Sequence, residues 1–94
     1  MDGASWTTRD LDCGIAPARI FAWLQDELAL SQDPGGAYIF ECAGQRCSAT
    51  ATPLGKSVSG GIALERTRLV MEGSAQAVDE LMRLFTLRFM SAGG

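Results

Sequence analysis

Two alternating runs separated by a Gly-Gln pair constrain this chain more than any other feature. Tyr38-Ile39-Phe40-Glu41-Cys42-Ala43 and Arg46-Cys47-Ser48-Ala49-Thr50-Ala51-Thr52 flank Gly44-Gln45. Successive strand side chains point to opposite faces. Tyr38, Phe40, Cys42, Cys47, Ala49 and Ala51 therefore share an apolar face. Ile39, Glu41, Arg46, Ser48, Thr50 and Thr52 share a mostly polar one. This is an antiparallel hairpin covered on one side. Glycine at the first central position suits a two-residue type II′ turn, with Gly44-Gln45 at its centre. That register sets Cys42 directly opposite Cys47.

Further strands extend this sheet. Ile62 to Glu72 reads as a third strand of the hairpin sheet, reached through a loop over Pro53-Leu54-Gly55-Lys56-Ser57-Val58-Ser59-Gly60-Gly61. Its alternation breaks, because Ile62 and Leu64 fall on one parity and Leu69 and Met71 on the other. A β-bulge within Glu65-Arg66-Thr67-Arg68 restores a single apolar face; the alternative is a sheet apolar on both faces at one end. Residues 5–13, rich in Thr and Trp, read as an edge strand.

Two segments carry helical periodicity. Pro17 suits the first residue of a helix, where its missing N–H costs nothing. Ile20, Leu24 and Leu28 then recur every four residues, and Phe21 and Trp23 widen the stripe over roughly three to four turns. Ala16 offers no capping side chain. Ser31-Gln32-Asp33-Pro34-Gly35-Gly36 stops the helix. Gly73-Ser74 ends the third hairpin strand and caps a last helix, whose core stripe is Val78, Leu81, Met82, Phe85 and Phe89. Asp79 and Glu80 early and Arg83 and Arg88 late agree with the helix dipole. The expected architecture is one α+β domain over residues 1–94. It is a two-layer sandwich of order β-α-β-β-β-α, with a four-stranded antiparallel sheet and both helices on one face.

Composition narrows the function. With 94 residues, 47% hydrophobic and 20% charged, the chain has room for a modest core and lies far from the disordered class. The net charge is −3 and Lys56 is the only lysine. That lacks the electrostatic footprint of a nucleic-acid binder. There is no histidine, which removes the commonest general base and metal ligand. No apolar run spans a bilayer, and the first residues do not read as a secretory signal, so a cytoplasmic location without membrane association is expected. An odd number of cysteines, three, argues for reduced thiols. No metal, cofactor or catalytic residue is expected.

Several constellations invite a chemical reading. Gly55-Lys56-Ser57 resembles the end of a phosphate loop. However, the position five residues before Gly55 is Thr50, and the segment leads into a strand rather than a helix. Cys42 and Cys47 are a candidate redox pair, although small buried apolar residues beside Ala49 and Ala51 explain them better. Asp10 and Asp12 share a strand face, as expected for a charged edge. Arg66 and Arg68, with Glu65 and Glu72, form a charged patch. An arginine turned inward at a bulge there is a candidate anion binder, weighed against a salt-bridged surface strand.

The last helix carries an anomaly. At 100° per residue Leu87 lies nearly opposite the core stripe, flanked by Leu84 and Met90. A helix apolar nearly all round is sandwiched or used for association. Leu84, Leu87 and Met90 are therefore candidate partner-binding residues, and a homo-oligomer or a protein partner is expected.

The chain ends Ser91-Ala92-Gly93-Gly94. This Gly-Gly resembles the tail of ubiquitin-like sulfur carriers and conjugated modifiers, which implies activation of the terminal carboxylate at Gly94. Those tails follow a β-strand, whereas this one follows a helix. The α-β-β-β-α portion likewise resembles the double-stranded-RNA-binding order, but Ser74-Ala75-Gln76-Ala77 replaces the basic helix start such binding needs. The leading expectation is a non-enzymatic binding or assembly module associating through the C-terminal helix. The alternative is a small thiol-dependent enzyme or a Gly-Gly carrier.

Overall fold

The computed structural model describes residues 5–90. The Gly93-Gly94 motif lies outside them. Strand β1 (Trp6–Cys13) leads into helix α1 (Pro17–Ala22), which continues as a π-helical turn over Trp23–Glu27. Four strands follow: β2 (Ser31–Gln32), β3 (Tyr38–Cys42), β4 (Gln45–Ser59) and β5 (Ile62–Ser74). Helix α2 (Ala75–Phe89) closes the domain. The five strands form one antiparallel sheet in the order β1-β5-β4-β3-β2.

The α+β class and the antiparallel sheet with two helices agree with expectation. The sheet has five strands rather than four. The added strand, β2, is two residues from the segment expected only to stop the helix. The helix ends earlier, at Ala29, whose φ is 53° and after which the Leu30 N–H bonds the Leu24 carbonyl at 3.0 Å. Asp33 builds the following β2–β3 turn: its Oδ1 accepts the Ala37 N–H at 2.9 Å and its carbonyl accepts the Gly36 N–H at 2.9 Å.

One core lies between the sheet and the helices. Ile20, Trp23 and Leu24 from the first helical segment meet Ala77, Val78, Leu81 and Phe85 from α2 over Tyr38, Cys47, Ala49, Leu69 and Met71. The Trp23 ring stands edge-on to Phe85 and Phe89 at centroid distances of 5.7 and 5.6 Å, which fixes both helices on the same face. The predicted core stripe of α2 holds, with Met82 and Phe89 only half-buried. Ser74 sits at the N-cap position of α2 without capping it through its side chain. Its hydroxyl instead donates to Gln45 Oε1 at 2.6 Å, tying the helix start to the first residue of β4.

The turn between β3 and β4 departs from the expected one. Cys42 pairs with Gln45 and Phe40 with Cys47, so the central residues are Ala43 and Gly44. Both have positive φ, 52° and 79°, as a type I′ turn requires. The register has slipped by two residues from the expected one. An even slip leaves every side chain on its predicted face.

A larger departure is the segment expected to be a loop. Residues 53–61 belong to a long hairpin that turns at Gly60-Gly61, again with both φ positive, 59° and 83°. The register irregularity lies between Pro53 and Gly55, opposite Thr67 and Arg66. The bulge is thus on β4 at Leu54 and not on β5. β5 runs without interruption, so Ile62 and Leu64 face the helix-free side of the sheet and Leu69 and Met71 the helix side. The large apolar residues of β5 therefore change face between its tip and its root, in place of the single apolar face a bulge in β5 was expected to restore.

β1 ends opposite Thr67, and β3 pairs with β4 only as far as Ala49. Beyond those points the β4–β5 hairpin continues alone as a two-stranded ribbon. It accounts for the elongated shape, 53 × 33 × 23 Å. Thr67 marks its root. It is fully buried, and its Oγ1 donates to the Ile15 carbonyl at 2.7 Å.

Candidate functional site

The C-terminal half of α2 is the first candidate. Leu87, on the last turn of α2, is 56% exposed, and Met90, at its C-cap, is 64% exposed. Leu84, expected beside them, is instead half-buried against the core. Leu87 borders a depression with Arg9, Asp79, Met82, Arg83 and Thr86. Met90 lines a cleft of about 500 Å³ between the end of β1 and the end of α2. Leu11, Cys13 and Ile15 form its strand side, and Met82, Phe85 and Phe89 its helix side. Sequence reasoning missed this cleft. It exists because α2 runs antiparallel to β5 and returns its C-terminus to the level where β1 ends.

Phe89 is the polar–apolar boundary of this region. The guanidinium groups of Arg19 and Arg88 lie 5.4 and 5.0 Å from its ring centroid. Arg88 Nε also donates to Glu27 at 2.8 Å, which links the two helical segments.

The charged patch is the second candidate. Arg66 donates through two nitrogens to the Asp12 carboxylate, with Nε at 3.1 Å from Oδ1. Arg68 does the same to Asp10, at 3.0 and 2.6 Å. The hydrogen bonds from Arg68 hold the Asp10 carboxyl below its usual range. Neither arginine turns inward, since both lie on the helix-free face and the bulge is on the opposite strand. This is the salt-bridged surface strand rather than an open anion pocket. The two pairs staple edge strand β1 to β5.

The cysteines are the third candidate, and all three are free. Cys47 is buried opposite Phe40, and Cys42, half-buried, stands opposite Gln45. The expected direct cross-strand pair is therefore replaced by a diagonal one. Burial, with Cys42 as a lesser influence, pushes the Cys47 thiol up to about 11. Burial likewise raises Cys13, with Asp12 adding to it. Both effects oppose the thiolate that redox or nucleophilic chemistry needs. Among the described residues, no three Cys, Asp or Glu side chains come together as a metal cage.

The ribbon is the fourth candidate. Val58, Ile62 and Leu64 are 71%, 62% and 54% exposed. The Gly60-Gly61 dipeptide between two alternating runs signals a hairpin. Pro53, Gly55 and Lys56 obscured that signal, because together they read as loop. No helix among the described residues is long and apolar enough to cross a membrane. Comparison with known protein families, with characterised proteins and with solved structures finds no match to this chain.

Proposed function

We propose that the chain is a non-enzymatic binding or assembly module that associates through the C-terminal half of α2. The observation that carries this reading is the exposure of two large apolar side chains at the end of α2, Leu87 and Met90, with Met90 lining the apolar cleft beside β1. Leaving such surface wet costs about 25 cal/mol per Å². Leu84 contributes its outer flank and otherwise supports the core.

The charge distribution favours a protein partner. Six of the seven arginines (Arg9, Arg46, Arg66, Arg68, Arg83 and Arg88) engage carboxylates, and Arg19 lies over Phe89. Among the described residues, a basic surface of the kind that phosphate recognition requires is not assembled.

The test is mass in solution as a function of concentration, for the wild type and for Leu87→Glu. The variant should shift towards monomer with an unchanged circular dichroism spectrum, because Leu87 lies outside the core. A wild type that stays monomeric throughout, with no protein partner recovered from cells, refutes the reading.

A further inference from the structure

We propose that the projecting ribbon is a dimerisation arm, which pairs antiparallel with the same ribbon of a second copy along the open edge of β5. The inference rests on the association reading above and identifies its partner as a second copy of this chain.

The two edges of the ribbon differ. On the β4 side, the edge beyond Ala49 carries Pro53, which has no N–H to offer, the bulge at Leu54, and Lys56. Proline, a bulge and lysine are the devices that blunt a strand edge against pairing. On the β5 side, residues Ile62 to Arg66 lie beyond the end of β1 and contain no proline, bulge or lysine. The β5 edge carries charge at Glu65 and Arg66, but every residue from Ile62 to Arg66 keeps its N–H and regular strand geometry, which makes it the edge open to strand addition.

Overlap and charge together select the register: an axis through Ala63 also keeps like charges apart but pairs fewer residues, whereas one through Leu64 uses the whole open edge. A two-fold axis through Leu64, the midpoint of the open edge, sets Leu64 against its own copy, Ala63 against Glu65 and Ile62 against Arg66. No like charges meet. Moving the axis to Glu65 places two carboxylates directly opposite, which is destabilising. It also sets the strand residue Ala63 of the second copy level with Thr67, which is already paired with Cys13, whereas the Leu64 axis brings only the turn residue Gly61 to that level.

The same axis explains the cleft. A two-fold perpendicular to the sheet keeps the helix faces of both copies on one side. The bulge at Leu54 puts Val58, with its partner Ala63, on the helix side of the ribbon. The tip of the second ribbon therefore brings these residues to the end of β1, beside Ile15 and Met90. The strand pairing is made once and the tip-to-cleft contact twice, so a closed dimer covers the open edge, the ribbon tip and Met90 together.

The experiment measures dimerisation by sedimentation and by cross-linking. The wild type should dimerise. Leu64→Lys should weaken the dimer by at least about tenfold, since the substitution enters twice at the axis. Met90→Glu should weaken it as well. In a Cys42→Ser background, L64C should form a disulfide-linked dimer under mild oxidation, whereas Ser57→Cys on the opposite strand should not. Leu64 is exposed, so the fold should survive. If Leu64→Lys fails to fold, Ile62→Lys gives the same readout. A dimer lost in Leu87→Glu but indifferent to Leu64→Lys, with no L64C cross-link, overturns the arm and leaves the helix reading standing. A wild type that is monomeric at every soluble concentration overturns the arm outright.

Discussion

From Thr67 to Gly73 every second residue of β5 is buried, and from Ile62 to Glu65 none is. Both stretches belong to one strand, pair with the same partner strand and contain apolar residues. What differs is what surrounds them. The root half has β1 on one side, β3 further across the sheet and α2 above. The tip half has only its own hairpin partner. Strand formation follows from alternation and turn chemistry, whereas burial follows from neighbours. A lone two-stranded hairpin is marginal in water. The tip is therefore a structure held by its root and by the Gly60-Gly61 turn, with its apolar side chains available for use.

This contrast can be tested at both ends. The largest effect should come from the core under the root. Phe85 is 2% exposed and contacts Trp23 and Phe89. Phe85→Ala should cost about 3–5 kcal/mol in denaturant unfolding, through lost burial and a cavity. A cost below about 1 kcal/mol would show that the core does not lie where the two helices meet the sheet.

Next comes the backbone of the root. Gly73 has φ of 145°, and a Cβ there would stand 2.6 Å from Cys47 Cα and 2.7 Å from the Arg46 carbonyl oxygen. Those atoms are backbone and cannot move aside without parting β4 from β5. Gly73→Ala should lower stability by about 2–3 kcal/mol. Near-neutral behaviour in thermal melts would mean that the strands can separate there at little cost.

At the junction, Thr67→Val keeps the volume but leaves the Ile15 carbonyl without its donor. A loss of about 1–2 kcal/mol is expected. Hydrogen exchange should also quicken in residues 13–15, because this bond anchors the end of β1. If only global stability changes, the bond does not anchor that segment.

The smallest effect belongs to the tip. Val58→Thr should change monomer stability by less than about 0.5 kcal/mol. Measured at concentrations where association occurs, the same variant should instead weaken the dimer. A large loss in the monomer would erase the distinction between the two halves of the hairpin.

Much of this architecture was legible in the residues. Tyr38, Phe40, Cys47 and Ala49 announce their shared face by period two. Ile20 and Leu24, and Val78, Leu81 and Phe85, announce theirs by period near 3.6. The turn at Ala43-Gly44 was misplaced by one residue because alanine at positive φ is costly and local rules do not favour it. An even register slip also preserves every face, so alternation carries no information about it. The ribbon was hidden because Pro53, Gly55 and Lys56 lower strand propensity locally, while strand pairing with Ile62–Arg66 overrides it. The exposure of Leu87 could be read from helical phase. The half-burial of Leu84 could not, because it depends on how closely α2 settles on the rest of the core.

By itself the sequence determined the two helical segments, the shared face of Tyr38, Phe40, Cys47 and Ala49, and the outward turn of Leu87, because backbone geometry imposes those periods on any chain. Tertiary structure alone decided that β1 stops opposite Thr67, that the bulge falls at Leu54, and that α2 returns beside Ile15 to leave a cleft. Those features depend on where separate elements meet across the sheet. Each is set by non-local packing and hydrogen bonding, which no local pattern encodes.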